Sequence, residues 1–338
     1  MRRTRWHQSL NGVTVLVLLT VAGGLACWLS PGLGSAAMAS PPAISPALPS
    51  PAEQAITTIS AGRGATSPTT EPSTRPTSLA SDGSAAFSLA RTKLAAGDLT
   101  QAREVLNNAL IVGILSETEA TEAKKMITDM NKTLIFSSRR LPVDPWIISH
   151  EVEPGEVLAK IGSMNGVTAS FLQQINGIAD ARKMRAGYTI KIVKGPFHAV
   201  VTKHAFTMDL YLGAPGGSGS MYVTTYRVGL GTDDSTPTGK WIVEPGKKLP
   251  HPTYYPPTGQ GPVIEAEDPM NPLGKYWIGL KGIDGPSVGR SSYGIHGTIE
   301  PGSIGKQASL GCIRMQNQDV AQVFGLLVEG KSTVVVLP

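Results

Sequence analysis

The spacing of apolar positions changes character along the chain, and each change marks a boundary. A basic start, MRRTRW, leads into the apolar run VTVLVLLTVAGGLACWL, and no charged residue occurs from Gln8 to Ala52. From residue 40 to 83 the periodicity vanishes under Pro, Ser and Thr (SPPAISPALPSPA, TSPTTEPSTRPTS). Such a segment cannot bury enough apolar surface to offset the entropy of ordering, and its prolines favour an extended spacer. A helical period sets in over residues 84–137. Phe87, Ala90 and Leu94 share one face, and Asp98 with Gln101 predicts a capped start for a second helix carrying Ala102, Val105, Leu106, Ala109 and Leu110. Ser116 with Glu119 opens a third helix whose stripe is Ala120, Ala123, Ile127, Met130 and Leu134.

Over residues 146–194 the pattern shortens. An alternating strand, a helix with Val157, Leu158 and Ile161, a helix with Phe171, Leu172 and Ile175, and a closing strand from Tyr188 to Val193 predict a β-α-α-β unit. From residue 197 to 338 the period falls to two. HAVVTKHAFTMDLYLG, MYVTTYRVGLG, KWIVEP, KYWIGL and TVVVLP predict strands between Gly/Pro turns. A single helix, NQDVAQVFGLL, interrupts them with a stripe of Val320, Val323, Phe324 and Leu327. The expected fold is therefore multidomain, with a mainly β C-terminal domain behind a βααβ unit and a small α-helical segment.

Composition changes this picture in three ways. The formal charge of +5 includes Arg2, Arg3 and Arg5, so only +2 remains outside the leader. Without a clustered basic face no nucleic-acid partner is expected. The leader at residues 1–39 reads as an export signal, with Ala37-Met38-Ala39 as a small-residue cleavage site. A cleaved signal and an uncleaved membrane anchor both fit a run of that length. Finally, one of the two cysteines, Cys27, falls in the leader, which leaves Cys312 alone in the body. An unpaired thiol in an exported protein is either kept for its reactivity or buried as a small apolar residue.

The surroundings of Cys312 favour reactivity. A thiol is mostly protonated at neutral pH and needs a base or a cation beside it. His296 lies sixteen residues upstream between Gly294 and Gly297, Gly311 precedes the cysteine, and Arg314 follows two residues later. If Cys312 to Arg314 is extended, both side chains face one side. The other histidines have bland expectations: His150, His198 and His204 on strands, His251 in a proline-rich loop. No metal-ligand spacing occurs, and neither a metal nor a cofactor is expected. The loop from His251 to Pro272 reads equally as a cap over the site or as a surface excursion.

Two segments carry family resemblances. His296-Gly297-Thr298, Ser309-Leu310-Gly311-Cys312-Ile313-Arg314 and the turn STPTGKW from Ser235 to Trp241 resemble the catalytic motifs of YkuD-type L,D-transpeptidases. Leu310 stands where many relatives carry histidine. The β-α-α-β unit resembles a LysM domain through Val152, Pro154-Gly155-Glu156, Leu158, Ile161, Asn176 and Arg185-Ala186-Gly187.

The first resemblance implies Cys312 as the acylated nucleophile, His296 as its base, and the Gly297 carbonyl as the group orienting the imidazole. Backbone N–H groups near Gly311 and Cys312 would form the oxyanion hole. Arg314, Ser309 and Gly311 would make up the substrate-binding set, with Arg314 holding the donor peptide and Ser309 supporting the loop by hydrogen bonding. The second implies tentative glycan contacts at Pro154, Gly155, Glu156, Asn176, Gly177 and Ile178. Together they imply peptidoglycan, its glycan strands and stem peptides, as the partner of an exported, periplasm-facing envelope enzyme that forms 3-3 cross-links. The alternatives are an inactive wall-binding protein, an L,D-carboxypeptidase, or a transpeptidase that anchors another protein to the wall.

Overall fold

The computed structural model of the protein describes residues 78–338 except Pro142, Ser218 and Thr258, with side chains from Gly83 onward. The leader and the Pro-rich segment lie outside these residues. No helix among the described residues is long and apolar enough to cross a membrane.

Three helices come first: α1 (Ser78–Ala95), α2 (Leu99–Val112) and α3 (Glu117–Leu134). α1 begins six residues before the expected boundary at 84. Their starts follow from local chemistry. The Asp98 carboxylate accepts the Gln101 N–H at 3.0 Å, and Ser116 with Glu119 forms a reciprocal capping box. α2 ends at Gly113, whose φ of 76° is the left-handed turn that glycine adopts without a Cβ penalty. The apolar stripes then meet, burying Phe87, Ala90, Leu106, Ile127 and Leu134.

The next unit runs β1 (Ile147–Glu151), α4 (Leu158–Met164), α5 (Ala169–Ile175) and β2 (Thr189–Val193), with β1 and β2 antiparallel. Phe171, Leu172 and Ile175 bury one face of α5, and Phe171 meets Phe197 of the next strand edge to face.

The remainder is an eight-stranded sheet with spatial order β11-β9-β8-β7-β12-β3-β4-β5. Its members are β3 (Phe197–Thr202), β4 (Thr207–Leu212), β5 (Met221–Arg227), β7 (Gly239–Pro250), β8 (Tyr276–Asp284), β9 (Tyr293–His296), β11 (Ile313–Arg314) and β12 (Thr333–Leu337). Two short strands, β6 (Leu230–Gly231) and β10 (Gln307–Ser309), pair in parallel beside it. Pairing is antiparallel except β12 with β3 and β11 with β9. α6 (Asn317–Leu326) packs Val320, Val323 and Leu326 into the core. His204, expected on a strand, lies in the turn between β3 and β4, where its imidazole meets the Pro338 carbonyl oxygen at 2.9 Å.

Polar bonds join the three parts. Asn131 on α3 donates to the Val223 carbonyl at 3.0 Å, and Asn107 on α2 exchanges two bonds with Ser220 and Tyr222 at the edge strand β5. Lys191 of β2, fully buried, donates to the carbonyls of Leu134 and Ser137 past the end of α3. Burial lowers its pKa to about 8. An unpaired sheet edge is a template for aggregation, so a helix pair bolted over β5 also protects it.

Candidate active site

The register of one parallel strand pair builds the site. On β11 and β9, Ile313 pairs with Ile295 and Arg314 with His296. Registered partners in a sheet point to the same face, and side chains alternate along a strand. Ile295, Ile313 and Met315 fill the core, while the registered partners Arg314 and His296 share the opposite face, the face that alternation gives Cys312 as well. One step along, Cys312 lies beside Gly294, whose backbone hydrogen-bonds the thiol. Cys312 and His296 are diagonal neighbours: two residues along and one strand across is about 8 Å between Cα atoms, a span their side chains can bridge.

His296 is 5% exposed. Its Nδ1 lies 2.7 Å from the carbonyl oxygen of Gly297. A carbonyl only accepts, so Nδ1 carries the proton and Nε2 is left with a bare lone pair. Trp277, registered with His296 on the other side, stacks on the ring at 5.7 Å and 20°. Burial pushes the imidazole pKa down to about 4, partly opposed by the Gly297 bond and reinforced by the Arg314 charge. Burial also raises the Cys312 thiol, against the Gly294 bond and the Arg314 charge. Both shifts favour neutral forms, so the resting pair is a thiol and a neutral imidazole. Cys312 itself is half-buried and within reach of solvent.

The loop before the cysteine is held from within. Ser309 donates from Oγ to the Cys312 carbonyl at 2.6 Å and accepts the Gly311 N–H at 3.1 Å. Gly311 has φ 127°, and a Cβ there would stand 2.8 Å from the Tyr293 ring. The Gly311 carbonyl accepts the Thr236 hydroxyl at 3.0 Å, and that hydroxyl accepts the Gly231 N–H at 2.8 Å. Thr236, from the STPTGKW turn, is thus the bracket that ties β6 to the cysteine loop. Ser309 thus supports the loop by hydrogen bonding, and the Gly311 N–H, expected near an oxyanion, is taken by Ser309 Oγ.

Arg314 is mostly buried and donates from Nη1 to Glu300 at 2.9 Å. Its Nε is buried with no protein partner. The glycan candidates divide as well. Pro154, Gly155 and Gly177 are exposed, and Glu156 and Ile178 half-buried. Glu156 bonds the Glu153 N–H in its own loop and His150 on β1. The Asn176 side chain is engaged within the fold: it donates to the Leu172 and Lys191 carbonyls and accepts the Lys191 N–H at 2.7 Å.

Three contributors escaped sequence reasoning. Trp277 read only as a strand residue, Glu300 carried no reading, and Asn317 read as the opening of a helix. Asn317 packs against the Cα atoms of Gly297 and Gly274, where a Cβ would approach its Oδ1 to 2.1 Å and 2.3 Å. Gly274 closes the long loop after His251, so that loop is anchored beside the His296 turn. A cavity of about 390 Å³ lies away from the chemistry, between α2, Trp146 and β5. No group of residues suited to holding a metal occurs among the described residues.

With the geometry in place, similarity becomes informative. Residues 200–336 match the family described as the YkuD L,D-transpeptidase catalytic domain. The chain is similar to the L,D-transpeptidase YkuD of Bacillus licheniformis, with 29% identity over 192 residues, 54% of this chain and 96% of the relative. With the L,D-transpeptidase YqjB of Bacillus subtilis the identity is 43% over 108 residues, 31% of this chain and 54% of the relative. Among solved structures, an L,D-transpeptidase from Mycobacterium smegmatis aligns at 14% identity and TM-score 0.30, covering 45% of this chain and 64% of that one.

Proposed function

We propose, from the match of residues 200–336 to the family described as the YkuD L,D-transpeptidase catalytic domain, that this chain is a peptidoglycan transpeptidase working through a Cys312 thioester. Cys312 Sγ attacks the amide carbonyl between the third residue of a stem tetrapeptide and its terminal D-Ala. His296 Nε2 takes the thiol proton as the carbon–sulfur bond forms, and returns it to the leaving amine as the amide C–N bond breaks. An amine from a second stem then attacks the thioester, His296 takes its proton, and the thiol is regenerated with a 3-3 cross-link formed. Water in place of the amine gives carboxypeptidase chemistry at the same site, and an amine on another protein gives anchoring.

The observation that carries this reading is the Nδ1 bond of His296 to the Gly297 carbonyl, which leaves Nε2 bare on the face shared with Cys312. Because both groups rest neutral, the proton must move in step with the attack. Arg314 offers its remaining guanidinium donors to a donor-peptide carboxylate, whose planar shape fits that fork. The βααβ order over residues 146–194, with exposed loops at Pro154-Gly155 and Gly177, supports a LysM-type glycan contact that brings the domain to its polymer. The leader would place the enzyme in the envelope, whether cleaved or retained.

Mass spectrometry after incubation with a defined tetrapeptide muropeptide, with and without an amine acceptor, tests the proposal. An acyl adduct on Cys312 with release of D-Ala, and a cross-linked dimer when acceptor is present, are expected. Retained binding to peptidoglycan with no adduct would leave an inactive wall-binding protein.

A further inference from the structure

The Gly297–Thr298 peptide unit is gripped at both ends. At one end the Gly297 carbonyl accepts the His296 Nδ1–H at 2.7 Å. At the other, the N–H of the same unit, that of Thr298, donates to Asn317 Oδ1 at 3.1 Å. Asn317 Nδ2 also donates to the Thr298 carbonyl at 3.0 Å, so the side-chain amide clamps both backbone groups of a residue only 3% exposed. Asn317 is the first residue of α6, whose core stripe of Val320, Val323 and Leu326 fixes where that amide stands.

We infer that Asn317 is a positioning residue for the reaction proposed above, acting on His296 through one peptide unit. Hydrogen bonds in a chain polarise one another, typically by about 10–30% per bond. An acceptor on the Thr298 N–H drives electron density toward the Gly297 oxygen, which then holds the Nδ1 proton more firmly. The unit does what a carboxylate does in a three-membered catalytic set, with no buried charge to desolvate. The glycines fit this role. A Cβ at Gly297 would stand 2.1 Å from Asn317 Oδ1, and the Leu273 carbonyl lies 3.2 Å from the same point, so only glycine lets the amide close on the turn. Glu300 extends the turn, donating its N–H to the Thr298 hydroxyl at 3.0 Å.

The test uses the full chain with ¹⁵N-labelled histidine, the His296 signals being assigned by their absence in His296→Gln. Wild type should show a protonated Nδ1 and a bare Nε2. In Asn317→Ala the tautomer signals should shift toward averaging, and kcat should fall about tenfold with KM changed less than twofold. Asn317→Asp keeps an acceptor for the Thr298 N–H while losing the donor to the Thr298 carbonyl, so it should restore the wild-type signature and most of kcat. Unchanged signals and kcat in Asn317→Ala would overturn the inference. So would an Asp variant that behaves like Ala, since the effect would then belong to the clamp's donor. A thermal melt separates unfolding from either outcome. If the wild-type tautomer is as stated but no acyl transfer occurs, the proposed reaction fails while the positioning role stands.

Discussion

Two buried histidines sit on the same sheet and end up with opposite tautomers. His198, on β3 at the centre, is 9% exposed, and His296, at the β9–β11 end, is 5% exposed. Burial lowers both pKa values, with Lys240 adding to the effect at His198 and Arg314 at His296. The partners of Nδ1 make the difference. His198 Nδ1 accepts the Thr333 backbone N–H at 3.0 Å and lies 2.8 Å from the Thr333 hydroxyl, so its proton is on Nε2. His296 Nδ1 faces a carbonyl and must donate. One ring is a structural acceptor tying β12 to β3, and the other, the proposed base, keeps its Nε2 lone pair bare. Burial and pKa direction do not separate the two rings; the chemistry of the atom opposite Nδ1 does.

Substitutions at the two positions should separate these roles. His296→Gln removes the proposed base and should lower kcat about 10³-fold, within the usual range for a general base, as measured by D-Ala release. Melting should change little by comparison. His198→Leu should do the reverse. It leaves the Thr333 N–H and hydroxyl without their acceptor, a loss of about 1–3 kcal/mol in denaturant unfolding, while kcat per folded molecule stays within twofold of wild type. If His198→Leu abolished turnover in folded protein, or His296→Gln left turnover intact, the division would be wrong.

Much of this molecule could be read before its structure was seen, and the boundary is physical. The caps at Asp98 and Ser116, the α6 stripe and the strand runs depend on residues within a turn or two of each other. Local sequence therefore carries them. Cys312 and His296 stood out as candidates because the chain has two cysteines and six histidines, and these two lie sixteen residues apart among glycines.

What local sequence does not carry is where a polar group points. Ser309, Gly311 and Asn176 carry hydrogen-bonding groups suited to a ligand, and the fold turns those groups inward onto its own backbone. Asn317 shows the converse. Its partner Thr298 is nineteen residues away, joined only through the β9–β11 register and the entry into α6. Nothing in the local pattern NQDVAQVFGLL announces that contact. His204 was placed on a strand because HAVVTKHAFTMDLYLG alternates throughout, and the turn at Lys203–Phe206 breaks a run that the period alone leaves continuous.

The central claim is that the resting site holds a neutral thiol beside a neutral imidazole. The pH profile of Cys312 alkylation by iodoacetamide tests it without any substrate. Burial raises the thiol above its ordinary 9.0 and lowers His296 to about 4. Alkylation should therefore be slow at neutral pH and climb only above about 9, while kcat/KM falls as pH drops through about 4, where His296 takes up a proton. A fast alkylation plateau between about pH 5 and 8, the mark of a thiolate–imidazolium pair, would contradict it.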